Sequence, residues 1–221
     1  VAVVIQEKLA DDDIGPAQPI DEVLKMIGED EAYRPDHLLY IGGTIVSKRL
    51  RQFLRKCTCK TSIIVNENGA CCDTFMNATD IIQGRVEDVI GIFAYETEDV
   101  QKKDFVSLWS KAFDKALAIR GTIKPRFSQM LAVKAFHEKM REEAIDGEFF
   151  YGNSSAVRLG NIFSDQYLYV NRGVNGIEGS LSTAVGYAIA HQEEEDVYCV
   201  IGDLSFFYDQ NALWNESLSP N

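Results

Sequence analysis

The chain alternates short apolar runs of strand length with longer stretches whose apolar residues recur every three or four positions. In the first part of the chain these runs predict strands at residues 1–5, 37–41 and 61–65. The stretches between them predict helices at residues 21–27 and 47–55, whereas residues 66–85 show no period and receive no assignment. Strands that alternate with helices indicate βαβ units and a mainly parallel sheet.

Two longer amphipathic helices are predicted in the middle of the chain, at residues 98–119 and 128–143. Gly121 and Pro125 interrupt the pattern between them, and both residue types favour breaks between helices. We therefore predict one domain over residues 1–125 and a second domain over residues 126–221.

The second predicted domain repeats a strand, a turn and a helix three times. The strands are predicted at residues 148–151, 166–170 and 196–201, and the helices at residues 156–163, 177–191 and 207–214. Each turn follows the carboxyl end of a strand, and ligands bind at this edge of an open parallel sheet. The predicted fold class is α/β, with two three-layer α/β/α units and mainly parallel sheets.

Charge and composition argue against several classes of function. The chain of 221 residues has 34 acidic and 22 basic residues and a net charge of -12, which argues against partners such as nucleic acid or an anionic membrane surface. No apolar run reaches the roughly 18 residues that a membrane span needs, and no basic and apolar leader opens the chain. The five cysteines lack the spacing of zinc ligands, so we expect free thiols and a cytoplasmic protein.

The dipeptide Gly202-Asp203 directly follows the predicted strand at residues 196–201. A carboxylate at a strand end suits Mg²⁺, which prefers one or two carboxylates together with the phosphate oxygens of a ligand. The start of the following helix also suits a diphosphate. The alternative interpretation is that Asp203 only caps that helix.

Further polar residues follow other strand ends. Arg172 lies in a glycine-rich turn over residues 171–179, which matches neither the dinucleotide fingerprint nor the Walker pattern, and its guanidinium suits a carboxylate. Ser154 and Arg158 are four residues apart, on one face at a helix start, and Lys48 follows a pair of glycines. Taken singly, these residues are also consistent with a surface arginine, a helix cap and a solvated lysine.

Four sequence stretches together resemble one enzyme family. They are NRGVNGIEGSLSTAVG at residues 171–186, VIGDLSFFYDQNAL at residues 200–213, GNSSAVRL at residues 152–159 and GGTIVSKRL at residues 42–50. These stretches resemble the 2-succinyl-5-enolpyruvyl-6-hydroxy-3-cyclohexene-1-carboxylate synthases, which are thiamine-diphosphate-dependent transferases of menaquinone biosynthesis. The resemblance is most specific over residues 148–215 and weakest over residues 66–98.

The resemblance implies a function for the matching residues. The family decarboxylates 2-oxoglutarate and adds the succinyl-semialdehyde unit to isochorismate, with thiamine diphosphate and Mg²⁺ or Mn²⁺ as cofactors, in a homodimer or homotetramer. By resemblance Asp203 is the metal ligand, and Gly202, Leu204 and Ser205 complete its cofactor-binding motif. Ile177 matches the apolar residue that holds the cofactor in its bent form.

The same resemblance assigns the cationic residues to the substrates. Ser154, Arg158 and Arg172 match residues around the substrate carboxylates, and Lys48 matches a lysine on the isochorismate side. Residues 1–125 then correspond to the family's central domain, and residues 126–221 to the first part of its diphosphate-binding domain.

Two parts of the family pattern are missing from the sequence. The family's metal site is completed by an asparagine-containing segment further downstream than the 18 residues that follow Asp203. The glutamate that activates the cofactor lies in a domain with no matching region. We therefore expect a fragment that is inactive alone and binds Mg²⁺ and the cofactor weakly or not at all. The alternatives are another thiamine-diphosphate 2-oxo-acid decarboxylase or ligase, and a non-catalytic nucleotide-binding α/β module.

Overall fold

The structure is a computed structural model that describes residues 2–10, 18–96, 103–191 and 196–218. The chain divides into two compact units, the first with Val1–Ile5 and Pro19–Thr122 and the second with Gln6–Gln18 and Ile123–Asn221. Each unit combines helices with short parallel strands, so the predicted α/β fold class is confirmed. None of the helices within the described ranges is long and apolar enough to cross a membrane.

The first unit contains a three-stranded parallel sheet in the order β1-β2-β3. Its strands are β1 (His37–Ile41), β2 (Thr61–Asn66) and β3 (Asp80–Gln83). Its helices are α1 (Ile20–Ile27), α2 (Lys48–Arg55), α3 (Val86–Glu96) and α4 (Lys103–Thr122). Residues 98–102 of the predicted helix at 98–119 lie outside the described residues.

Trp109 of α4 is the centre of the first unit's core. Its side chain is buried, its ring meets the ring of Tyr33 edge-on at 5.5 Å, and its indole N–H donates to the Tyr33 carbonyl at 3.3 Å. The half-buried ion pair between Arg120 and Glu22, at 2.8 Å, ties α4 to α1. The buried ring of Trp109 and the hydrogen bond from its indole N–H therefore hold α4 against the rest of this unit.

The predicted strand at residues 1–5 is wrong for the described residues 2–5, which form no strand. Their burial still alternates as in a strand, because Val3 and Ile5 pack on the first unit's core whereas Val4 is exposed. The segment has the side-chain pattern of a strand but no ladder with a neighbouring strand. The stretch at residues 66–85, which received no assignment, contains β3, whose mostly exposed side chains give it no periodic pattern.

The second unit is built around the parallel pair β4 (Glu148–Tyr151) and β5 (Val197–Val200). Its helices are α5 (Gln129–Glu142), α6 (Ser155–Phe163), α7 (Ser180–Ala190) and α8 (Asp203–Asp209), and a 3-10 turn follows at Gln210–Leu213. Helices α7 and α8 start at residues other than the predicted 177 and 207. The glycine-rich turn continues to Gly179, and the last helix begins directly at Asp203.

The predicted strand at residues 166–170 is reduced to a single parallel bridge between Tyr169 and Phe150. Two backbone bonds make this bridge, from Tyr169 N–H to the Phe149 carbonyl and from Tyr151 N–H to the Tyr169 carbonyl. The preceding N–H, of Leu168, donates instead to the carbonyl of Lys8. The segment therefore flanks β4 on the side away from β5, although it is too short to count as a strand.

The core beneath β4 contains a polar pair. His137 of α5 and Tyr151 of β4 are both buried, and their Nε2 and hydroxyl oxygen lie 2.6 Å apart. Burial lowers the pKa of His137 to about 4, with a smaller contribution from the positive charge of Arg141. The imidazole is therefore neutral in the folded protein at neutral pH, where the tyrosine hydroxyl is its hydrogen-bond partner.

We expect His137 to make the second unit sensitive to acid. The pKa of this imidazole is near its ordinary value of 6.5 in the unfolded chain, whereas it is only about 4 in the folded chain. Stability from this group is complete above pH 6.5 and falls by about 2–3 kcal/mol as the pH drops towards 4. Urea unfolding at pH 7.5 and pH 4.5 measures the effect. Between these two pH values the free energy of unfolding should fall by about 2–3 kcal/mol less in His137→Gln than in the wild type, whereas the control His191→Gln should show the wild-type decrease. An unchanged response in His137→Gln would contradict the assignment.

Gly160 of α6 allows the helix to pack closely on β4. A Cβ atom there would lie 2.8 Å from Cε1 of Tyr151 and 2.9 Å from Cδ1 of Leu168, both of which are buried. Gly160→Ala should therefore cost about 1–3 kcal/mol despite its better helix propensity. The control Gly186→Ala, in α7 with no atom within 4 Å of the new Cβ, should gain up to about 1 kcal/mol. Thermal unfolding of both variants decides; equal melting temperatures would refute the close packing.

Candidate active site

Three chain segments of the second unit end at one edge of its sheet. Strands β4 and β5 run parallel in register, with Tyr151 opposite Val200, and the Tyr169 segment runs parallel on the other side of β4. The carboxyl ends of parallel strands lie at the same edge, which is where ligands bind in open α/β sheets. The segments that leave this edge begin at Gly152, Val170 and Ile201, and they carry the predicted site residues of this unit.

Asn153 joins two of these segments through its side chain. Its Oδ1 accepts from Nη1 of Arg172 at 2.9 Å, and its Nδ2 donates to the carbonyls of Asn171 and Gly176 at 3.0 Å each. Residues 171–176 of the glycine-rich turn are therefore fixed against the end of β4. In the sequence Asn153 directly follows the predicted strand at residues 148–151 and its glycine, but nothing in the pattern indicates this role.

The glycine-rich turn is also fixed from its other end. The Nδ2 of Asn171 donates to the Gly179 carbonyl at 3.1 Å and to Oγ1 of Thr183 at 2.9 Å. Gly179 has a φ of 82°, a left-handed conformation that glycine adopts without strain, and α7 follows it. Two asparagine amides thus supply donors for three backbone carbonyls of this turn, those of Asn171, Gly176 and Gly179.

Ser154 and Arg158 lie at the start of α6, as predicted. Ser154 precedes the helix with a φ of 73° and a ψ of -124°, a conformation that costs a non-glycine residue about 1–3 kcal/mol. Ser154 occupies the N-cap position of α6, as the alternative interpretation predicts, but its hydroxyl makes no capping hydrogen bond. Both side chains are exposed and have no hydrogen bond or ion pair with the residues that the structure describes.

Asp203 is the first residue of α8, and Gly202 precedes the helix as its N-cap. The alternative interpretation of Asp203 as the helix cap is therefore wrong. Its carboxylate is exposed, and within the described ranges it has no hydrogen-bond or ion-pair partner. Of the neighbouring residues in the motif, Leu204 is 58% exposed whereas Ser205 is buried.

A complete metal-binding cluster is not formed by the residues that the structure describes. No group of three or more histidine, cysteine, aspartate or glutamate side chains among them could hold a metal ion. Asp203 supplies a single carboxylate, which fits Mg²⁺ only together with oxygens of a ligand or of other residues. All five cysteines are free, and burial raises the pKa of Cys57 and of Cys199 to about 11, so these two thiols are protonated at neutral pH.

Ile177 lies within the glycine-rich turn, three residues before α7, and is 37% exposed. Its backbone N–H donates to the carboxylate of Glu178 at 2.9 Å, so this acid is occupied within the turn. One further contact has no signal in the sequence: Asp209 of α8 accepts from the N–H and the hydroxyl of Ser182 at 2.7 and 2.9 Å. These bonds join the end of α8 to the first turn of α7.

Lys48 lies in the first unit, whereas the other predicted site residues lie in the second. It is exposed and opens α2, directly after Ser47. The Ser47 hydroxyl accepts from the Leu50 N–H at 3.0 Å and donates to Asp21 at 2.5 Å. The position of Lys48 on its own unit is thus fixed by a helix cap that is itself anchored to α1.

Several curated relatives of the chain carry the same enzyme name. No family model matches the chain. The 2-succinyl-5-enolpyruvyl-6-hydroxy-3-cyclohexene-1-carboxylate synthase of Bacteroides thetaiotaomicron is 33% identical over 213 residues, which cover 93% of this chain and 36% of that protein. The chain belongs to this synthase family. The enzymes of the same name from Flavobacterium psychrophilum and Bacteroides fragilis are 32% and 35% identical, over 91% and 85% of this chain.

The chain spans about a third of the length of these synthases, with 33–37% of each relative matched. The resemblance recognised from the motifs is thereby confirmed, since the matched region includes nearly the whole chain. The roles of individual residues are not part of this finding and stay predictions.

We expect the backbone of Ser154 to be strained independently of any ligand. Ser154→Gly removes both the hydroxyl and the strain, whereas Ser154→Ala removes only the hydroxyl. Glycine also makes the unfolded chain more flexible, which offsets part of the gain. The free energy of unfolding should therefore rise by about 1 kcal/mol in Ser154→Gly and stay near the wild-type value in Ser154→Ala. Urea unfolding of the matched pair measures the difference, and equal stability of the two variants would argue against strain at this residue.

Proposed function

We propose that the protein carrying this chain is a thiamine-diphosphate- and Mg²⁺-dependent synthase. It decarboxylates 2-oxoglutarate and adds the succinyl-semialdehyde unit to isochorismate, which gives 2-succinyl-5-enolpyruvyl-6-hydroxy-3-cyclohexene-1-carboxylate. The observation that carries the proposal is the similarity to a synthase of this name over 93% of the chain. The grouping of Ser154, Arg172 and Asp203 at the ends of three parallel segments supports it independently.

The residues around Asp203 fit the cofactor and the metal. The exposed carboxylate of Asp203 is not used as a helix cap, and an aspartate of this kind binds Mg²⁺ when a diphosphate supplies further oxygens. Gly202, Leu204 and Ser205 would lie beside it, and Ile177 would contact the cofactor. When bound, thiamine diphosphate supplies an electron sink for decarboxylation, and the protein positions it against the substrate.

The cationic residues fit the substrates. Both 2-oxoglutarate and isochorismate carry two carboxylates, and a guanidinium can bind a carboxylate through two parallel hydrogen bonds. We assign Arg172, Arg158 and Ser154 to the substrate carboxylates and Lys48 to the isochorismate side. A homodimer or homotetramer in the cytoplasm is proposed on the resemblance. Exposed apolar side chains on and after α8 support an assembly, and they include Phe207 at 63%, Tyr208 at 71% and Trp214 at 84% exposure.

We expect the complete protein that carries this chain to need Arg172 for turnover. Arg172→Ala should lower kcat/KM for 2-oxoglutarate by the equivalent of about 2–4 kcal/mol, because the partner carboxylate loses a charged ligand. Asp203→Asn should raise the Mg²⁺ concentration needed for half-maximal activity, because a neutral amide is a weaker ligand. Isochorismate-dependent product formation, followed by mass spectrometry, is the measurement.

Arg126→Ala is the matched control, because Arg126 is an exposed arginine of the same unit that is not assigned to the site. Its kcat/KM should stay within about threefold of the wild type, as for most surface substitutions. A loss of less than tenfold in Arg172→Ala would contradict its role. Decarboxylation of a 2-oxo acid without addition to isochorismate would support a different thiamine-diphosphate enzyme, and no cofactor-dependent reaction at all would support the non-catalytic alternative.

A further inference from the structure

The side chain of Asn153 satisfies three different groups of the glycine-rich turn at once. Its carbonyl oxygen accepts from the guanidinium of Arg172, and its NH₂ group donates to the carbonyls of Asn171 and Gly176. All three distances lie between 2.9 and 3.0 Å, which is the normal range for hydrogen bonds of this type. The side chain is only partly exposed, so these bonds are partly shielded from competition by water.

Among side chains of this length, only asparagine can make this set of bonds. The guanidinium needs an acceptor, whereas the two backbone carbonyls need donors. An aspartate in this place would satisfy the guanidinium but would turn a second acceptor towards the carbonyls. A serine has one donor on a shorter stem, and a leucine of similar shape has neither group. The hydrogen-bonding groups of the turn therefore require an amide side chain at position 153.

The bonds of Asn153 fix the orientation of Arg172. Nη1 of the planar guanidinium donates to Asn153, which holds the end of the side chain. The same amide holds the backbone before and after Arg172, through the carbonyls of Asn171 and Gly176. A guanidinium that is already oriented loses less rotamer freedom when it binds a carboxylate, which favours affinity and selectivity.

We propose that Asn153 is a positioning residue that holds Arg172 in the orientation in which it binds a carboxylate of the dicarboxylate substrate. The inference rests on the proposed function, because that function assigns Arg172 to the substrate. Asn153 itself need not touch the substrate. Its loss should therefore reduce the preference for substrates with a second carboxylate more than it reduces the turnover of 2-oxo acids in general.

The test compares 2-oxoglutarate with 2-oxobutyrate, which lacks the second carboxylate, in the complete protein with its cofactor and Mg²⁺. Asn153→Ala should lower the ratio of the two kcat/KM values by about 10- to 100-fold, the effect of losing a hydrogen bond to a charged group. In the Arg172→Ala background the same substitution should change the ratio less than about threefold, because the two residues act through one interaction. Equal losses on both substrates would overturn the proposal.

Asn161→Ala is the matched control, because Oδ1 of Asn161 accepts from the Lys8 N–H at 2.8 Å and this bond also lies in the second unit. Its loss removes a comparable amide bond without touching the turn, so the substrate ratio should stay that of the wild type. A falling ratio in Asn161→Ala would show a general structural effect and overturn the proposal. If Asn153→Ala does not fold, Asn153→Gln retains both polar groups on a longer stem, and it should lower the ratio as well.

A binding measurement separates this inference from the proposed function. Calorimetric titration with 2-oxoglutarate should show affinity weakened at least about tenfold in Asn153→Ala and unchanged in Asn161→Ala. If the wild type binds 2-oxoglutarate but forms no product with isochorismate, the proposed function fails, and the affinities alone decide the role of Asn153. If the wild type neither binds nor converts 2-oxoglutarate, both proposals are overturned.

Discussion

The candidate site depends on the parallel pairing of β4 with the chain on both of its sides. Backbone bonds fix Tyr151 against Tyr169 on one side, and the Gly152 N–H donates to the Val200 carbonyl at 2.9 Å on the other. The pairing with β5 thus continues one residue beyond the strand. A Cβ atom at Gly152 would lie 3.2 Å from Cγ2 of Ile201, so glycine permits the close approach. Residues that are distant in sequence therefore lie at one edge of the sheet, because the backbone hydrogen bonds on both sides of β4 align the ends of the three segments.

The turn beyond that edge shows how an irregular segment can be held rigidly. Buried and half-buried backbone groups need partners, and a turn without a ladder must find them among side chains. Asn153 and Asn171 provide them in sequence, since the first binds the carbonyl of the second, and the second binds the carbonyl of Gly179. Two side-chain amides, rather than regular secondary structure, thus connect the end of β4 to the glycine-rich turn and that turn to the start of α7.

Much of this arrangement could be predicted from the sequence, because apolar runs followed by polar turns determine where strands end. The edge position of Ser154, Arg172 and Asp203 follows from that pattern alone. The strand at residues 166–170 was overpredicted, since its apolar residues do not reveal that the Leu168 N–H bonds to Lys8 instead of a sheet. The left-handed backbone of Ser154 and the three bonds of Asn153 also leave no periodic signal, because they arise from tertiary contacts.

In the second unit, side-chain capping of a helix depends on whether that helix follows the sheet edge. Helix α5, which does not follow a strand, is capped by the hydroxyl of Ser128, which accepts from the Leu131 N–H. Helices α6, α7 and α8 follow the sheet edge, and none is capped by the side chain of its own N-cap residue. Ser154 has a suitable hydroxyl but holds it in a strained conformation that does not cap. First-turn N–H groups need partners from caps, other residues, water or ligands. At α7 the carboxylate of Asp209 accepts from the Ser182 N–H at 2.7 Å, so a side chain from α8 takes the place of a local cap.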